Sequence, residues 1–132
     1  MGGSKGPPSF SVRTDRRNGI ARVALQGELD MATVTVLEEH IAILDQDNVK
    51  GLVLDLRGLT FLDSTGLHAF LDASRRAAEN GHRFAIVGVS ESTRRLFEIT
   101  KTTRLLDEPG ALFLIEGFAA DESGPNVGTG DA

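Results

Sequence analysis

The sequence has no cysteine, no tryptophan and no tyrosine. Without cysteine there is no disulfide framework, no thiol nucleophile and no Cys-ligated zinc, and the composition suits a reducing compartment. No apolar run approaches the roughly 18 residues of a membrane span. The opening Met1-Gly2-Gly3-Ser4-Lys5-Gly6-Pro7-Pro8 lacks the apolar stretch of a secretion signal, and Gly6 stands where a myristoylation pattern wants Ser or Thr. A cytoplasmic chain with no direct membrane insertion is expected. Basic clusters are also missing: the formal charge is -5, the pI is near 5.1, and Lys and Arg occur singly or in pairs. That leaves no electrostatic footprint for a nucleic acid. What is present is 132 residues, 40% hydrophobic and 25% charged, with seven Phe among mostly aliphatic apolar residues. This is the size and composition of one globular domain.

Apolar periodicity organises the chain. Phe10 and Val12 alternate with polar neighbours, Asn18-Gly19 signals a tight hairpin, and Ile20 to Leu25 is a second β-rich run. After Gly27 the period changes. Val34, Leu37, Ile41 and Leu44 make a helical stripe, with Asp30 standing as its expected N-cap. Gly51 to Leu56 is a nearly continuous apolar run, as a central strand covered on both faces requires. Leu67, Phe70, Leu71, Ser74 and Ala78 form a second helical stripe, stopped by Asn80-Gly81. Phe84 to Val87 reads as a strand, Ser90 to about Thr100 as a helix with Leu96 and Phe97 inward, and Leu112 to Ile115 as a last strand. The predicted order is ββαβαβαβ: an α/β domain with a mixed, mostly parallel sheet of about five strands and an antiparallel hairpin at one edge. The Gly-, Pro- and Ser-rich residues 1–9 and the Gly- and Asp-rich residues 118–132 are expected to be flexible tails around a domain at 10–117.

The segment Arg57-Gly58-Leu59-Thr60-Phe61-Leu62-Asp63-Ser64-Thr65-Gly66, between the central strand and the second helix, is the informative one. Asp63 or Ser64 caps the helix, which puts Ser64 in the first turn. There backbone N–H groups lack partners and the helix dipole favours negative charge, so a phosphate on Ser64 would gain roughly 0.3 to 1 kcal/mol. From local chemistry alone Asp63-Ser64-Thr65 reads first as a plain helix cap, since Ser and Asp are favoured capping residues. Phe61 and Leu62, read as loop residues, either tuck under the helix or stay partly exposed; exposure would suit an interface.

Gly27-Glu28-Leu29-Asp30 before a helix, Leu52-Val53-Leu54-Asp55-Leu56, and then Phe61-Leu62-Asp63-Ser64-Thr65-Gly66-Leu67 together resemble the STAS domain of bacterial anti-sigma factor antagonists. Val89-Ser90 and Arg95-Leu96-Phe97 add to the likeness, which spans about residues 10–117. The resemblance implies a regulator that is not an enzyme and has no cofactor. In its unphosphorylated form it binds an anti-sigma factor with serine kinase activity and releases a sigma factor. Phosphorylation of Ser64 would switch that binding off, and a phosphatase would restore it. Thr65 is the runner-up acceptor. Asp30, Phe61, Asp63, Ser64, Thr65 and Gly66 would form the partner surface. The sequence departs from the family pattern at Glu91, where relatives often carry Pro, at Lys101, often Gly, and after Phe118, where an amphipathic helix is usual.

Rival readings meet obstacles in the residues. A STAS subunit of a membrane lipid transporter, binding the transporter ATPase, fits the same resemblance and is separated from it by what co-purifies. A serine hydrolase would want Gly two residues before Ser64, where Leu62 stands, and a later His with an orienting acid; only His68 and His82 follow. A receiver-like role for Asp55 would need an acidic pair after an early strand and a Lys after the last, and neither is present; Asp55 reads instead as a hydrogen-bonding residue at the end of the central strand. The three His lack the spacing of a helical metal pair, and no metal site is expected.

Overall fold

The computed structural model describes residues 9–106. In chain order these form β1 (Phe10–Arg17), β2 (Ile20–Leu29), α1 (Val34–Gln46), β3 (Gly51–Leu62), α2 (Ser64–Glu79), β4 (Arg83–Val87), α3 (Glu91–Ile99) and a single 3-10 turn at Thr103–Leu105. The four strands lie in the order β1-β2-β3-β4, with β1 antiparallel to β2 and the other pairs parallel. This is the α/β architecture the periodicity implies, with the hairpin at the edge. The expected last strand, Leu112–Ile115, and both tails apart from Ser9 fall outside the described residues. Ser9 itself is tied in, its carbonyl accepting from the Glu28 amide at 2.7 Å.

Local chemistry accounts for the elements. Asn18 (φ 55°) and Gly19 (φ 84°) both occupy the left-handed region, the conformation that a two-residue hairpin turn demands and that Asn-Gly supplies. Alternation then sorts the sheet into two faces. Phe10, Ala21, Val23, Leu25, Leu52, Leu54, Leu56 and Ile86 pack with the apolar stripes of all three helices into one core. Phe70 of α2 and Phe97 of α3, both fully buried, stack in that core with ring centroids 6.4 Å apart. Residues of the opposite parity make a smaller cluster, Val53, Ala85 and Val87 with Ile20 beside them. The cross-strand partners Asp15 and Arg22 belong to the same face and are joined by an ion pair at 2.8 Å.

Four expectations need correction. Asp30 does not cap α1; Thr33 holds that position. Instead Asp30 folds a turn ahead of the helix, its Oδ1 accepting from the amides of Ala32 (2.9 Å) and Thr33 (3.2 Å). Asp side chains bond in this way to the backbone two residues on as readily as they cap. The segment expected as a loop from Arg57 is strand: β3 runs on to Leu62 and β2 to Leu29, paired through Gly27↔Leu59, Glu28↔Phe61 and Leu29↔Leu62. Two register shifts, between Ala24 and Gln26 and between Gly27 and Glu28, interrupt the alternation that would have revealed it. Asp55 is therefore not at a strand end, although β4 pairing stops there, at Asp55↔Val87. In α2 the buried stripe is Gly66, Leu67, Ala69, Phe70, Ala73 and Ala77, while Leu71 and Ser74 are half-buried and Ala78 is exposed.

Candidate functional site at the carboxyl ends of the strands

The extended β2 and β3 end side by side, and the chain leaves each through a short junction into a helix. The β2 exit is Asp30-Met31-Ala32-Thr33, and the β3 exit is Asp63 alone. The Asp63 amide donates to the Leu29 carbonyl at 3.3 Å, which locks the two exits together. In an open α/β sheet this end is where binding sites collect, because the strand ends and helix starts leave a surface that loops can shape.

Asp63 is the N-cap of α2: its Oδ1 accepts from the Gly66 amide at 3.0 Å. Ser64 follows as the first residue of the helix and is exposed; Thr65 is half-buried. Neither hydroxyl has a hydrogen-bond partner among the described residues. Gly66 seats the helix on the strands. A methyl group there would lie 2.5 Å from Leu62 Cδ1 and 2.9 Å from Leu29 Cδ2 and Cγ, so its small size brings Ser64 close against the sheet end.

Asp30 is half-buried and held on several sides. Thr33 Oγ1 donates to the Glu28 carbonyl at 2.8 Å and accepts from the Asp30 amide at 3.0 Å. Beside this turn Met31 is 78% exposed, and Phe61, the second-last residue of β3, is 49% exposed. Sequence reasoning offered Phe61 and missed Met31, because one exposed apolar residue in a turn leaves no periodic signal. Asp30, Phe61, Asp63, Ser64, Thr65 and Gly66 all lie at this end of the sheet.

A cleft of about 400 Å³ opens beside Ser64, lined by Glu38 of α1 and by Ser64, Thr65, His68, Ala69 and Asp72 of α2. Ser64, His68 and Asp72 are spaced i, i+4 and i+8 and so share a helix face, a spacing that invites comparison with a catalytic triad. The bonds are not those of one. The two Asp72 oxygens accept from Arg75 and, at 2.9 Å, from Arg76, and no hydrogen bond joins Ser64 to His68.

The one cation of the β3 segment, Arg57, is also engaged. Its Nη2 and Nε donate to Asp55 at 2.7 and 3.0 Å, and Asp55 is only 3% exposed. That hydrogen bond to the carboxylate, with its charge, raises the Arg57 pKa above the ordinary guanidinium value against a smaller opposing effect of burial. Arg57 is thus fixed as the counter-ion of a buried carboxylate. Among the described residues no group of three or more His, Asp or Glu could hold a metal ion, and no helix is long and apolar enough to cross a membrane.

The comparison that decides the family is a match of residues 11–116 to the model of the STAS domain. The chain belongs to the STAS domain family. Its relatives include the anti-sigma-B factor antagonist of Staphylococcus aureus, 34% identical over 92 residues that cover 70% of this chain and 85% of that protein. The anti-sigma-F factor antagonist RsfB of Mycobacterium tuberculosis is 35% identical over 102 residues, 75% of this chain and 83% of the other. Among solved structures, an anti-sigma factor antagonist from Mycobacterium paratuberculosis superposes with a TM-score of 0.71 at 26% identity, covering 86% of this chain and 99% of that one. The matched residues take in both strand exits and the whole of α2, so this STAS domain carries its candidate surface within the shared region.

Proposed function

We propose that this STAS domain is an anti-sigma factor antagonist of the cytoplasm, that its partner is an anti-sigma factor with serine kinase activity, and that phosphate on Ser64 switches the pairing off. One observation carries the reading: the Ser64 hydroxyl is exposed and unpartnered at the first position of α2. It stands at the same sheet end as the exposed apolar side chains of Met31 and Phe61. The names of the curated relatives support the antagonist role. Such a surface binds by excluding water around its apolar anchors. A phosphate of about -1.5 to -2 charges introduced there must be paired or must disrupt. Asp63 is adjacent, and Arg57 is committed to Asp55, so on this side of the interface desolvation and repulsion prevail. A phosphatase would reset the switch.

The reading is tested by mixing the protein with ATP and a candidate anti-sigma kinase and following intact mass. The wild type gains one phosphate and Ser64→Ala gains none; incorporation that persists in Ser64→Ala moves the acceptor elsewhere, with Thr65→Ala the next variant to try. In calorimetry Ser64→Ala keeps its affinity for the anti-sigma factor while Ser64→Asp loses about a hundredfold, equivalent to ~3 kcal/mol. Equal affinities for the two variants would defeat the proposal.

A further inference from the structure

We infer that His68 is the side chain that receives a phosphate placed on Ser64, and that it offsets part of the charge of the phosphorylated site. The inference rests on the reading of Ser64 as the acceptor and adds what the rest of the cleft does once the acceptor is filled.

Among the charged side chains near the hydroxyl, one candidate is left. The first-turn amide of Gly66, which could otherwise have faced an anion, already donates to Asp63. Arg57 is held by Asp55, and Arg75 and Arg76 are held by Asp72; Arg76 also reaches Asp45 of α1 at 3.0 Å. The residues lining the cleft are otherwise apolar, hydroxylic or acidic, except for His68. His68 is exposed and has no hydrogen bond or ion pair among the described residues. It lies one turn after Ser64, where Cβ atoms are about 5–6 Å apart and side chains meet. A phosphoserine is longer than a serine, and an imidazole on the same face is within its reach.

The charges facing the imidazole come from both helices. Glu38 projects from α1, and Asp72 and the capping Asp63 belong to α2 and its start. Asp72 is neutralised by its two Arg partners, whereas Glu38 has no partner among the described residues. A new dianion therefore arrives between two carboxylates with no ion-pair partner, Asp63 and Glu38, with His68 as the available cation among the described residues lining the cleft. A dianion paired with an imidazolium presents one net negative charge, and an unpaired dianion presents two. A partner facing Ser64 therefore meets a stronger repulsion when His68 is removed.

The test installs phosphoserine at position 64 by genetic encoding, so it requires neither kinase nor partner, and follows the phosphorus resonance from pH 4.5 to 8.5. In the wild type the phosphate titrates about half to one pH unit lower than in His68→Gln, because a neighbouring cation favours the dianion. Raising the salt to about 1 M, where screening extends only about 3 Å, narrows the difference. His82→Gln, beyond the far end of α2, leaves the midpoint where it is. A midpoint that His68→Gln does not move, or that both substitutions move equally, overturns the inference. Failure of the switch itself looks different: the phosphoserine protein would then retain its affinity for the anti-sigma factor, whatever its phosphorus titration.

Discussion

At the scale of single residues, Asp63 has two separable jobs, capping α2 and contributing charge to the surface around Ser64. Its carboxylate accepts from the Gly66 amide at 3.0 Å, and removing such a cap costs about 1 kcal/mol. Asp63→Ala should lower the urea midpoint accordingly. Asp63→Asn should not, since Asn caps as well as Asp. If the carboxylate also serves the partner surface, Asp63→Asn keeps full stability and loses affinity; unchanged affinity restricts Asp63 to the cap. A second residue-scale case lies on the face of the sheet away from the helices. Arg22 is 4% exposed, and burial is the largest influence on its guanidinium, lowering its pKa below the ordinary value while Asp15 and then Asp55 act to raise it. The charge persists at neutral pH because the ordinary value is so high. Asp15→Asn removes the first of those supports and should cost about 1–3 kcal/mol in denaturant unfolding. A loss below about 0.5 kcal/mol would show that the remaining partners of Arg22 suffice.

Elements depend on where the backbone leaves its regular path, and two glycines show how different such departures can be. Gly27 has φ +100°, and a methyl group there would come within 2.0 Å of the Ser9 carbonyl oxygen, a backbone atom that cannot step aside. Gly81 has φ +74° after α2, with nothing within 4 Å of the same hypothetical group. Gly81→Ala should cost only the left-handed penalty, about 1–2 kcal/mol. Gly27→Ala should cost clearly more, because the first strand must move; equal midpoints in thermal melts would contradict this. The same irregularity explains what the sequence disclosed. The hairpin, the stripe of α1, the cap of α2 and the inward Phe97 of α3 each rest on a local rule, such as Asn-Gly, a 3.6-residue period or a Ser or Asp at a helix start, and each is where that rule puts it. The ends of β2 and β3 were illegible because the register shifts around Gln26 and Gly27 break the two-residue period. Arg57, Gly58 and Thr60 then read as loop chemistry. Asp30 misled for a related reason, since an Asp that bonds Ala32 and Thr33 looks in sequence like one that caps the helix after them.

For the molecule as a whole, the question is which part of its surface a partner would cover. The described residues expose four large apolar side chains: Met31 (78%), Phe61 (49%), Ile43 (54%) and Ile99 (71%). Two parallel strands and the helices that return from them divide these into pairs at opposite ends. Met31 and Phe61 sit at the carboxyl ends of β2 and β3, beside Ser64. Ile43 is in the last turns of α1 and Ile99 closes α3, toward the end where the parallel strands begin. An apolar anchor removed from the centre of an interface costs about 2 kcal/mol or more, near thirtyfold in affinity, whereas an exposed residue contributes little to folding. Met31→Ser and Phe61→Ser should therefore leave the unfolding midpoint within about 0.5 kcal/mol of wild type and weaken binding to the anti-sigma factor by more than about tenfold each. Ile43→Ser and Ile99→Ser should change neither quantity. Calorimetry on the four variants decides the matter: a loss confined to the first pair places the partner over Ser64, where a phosphate would be trapped in the interface. A loss confined to the second pair would put the partner at the wrong end of the sheet for any charge on Ser64 to expel it.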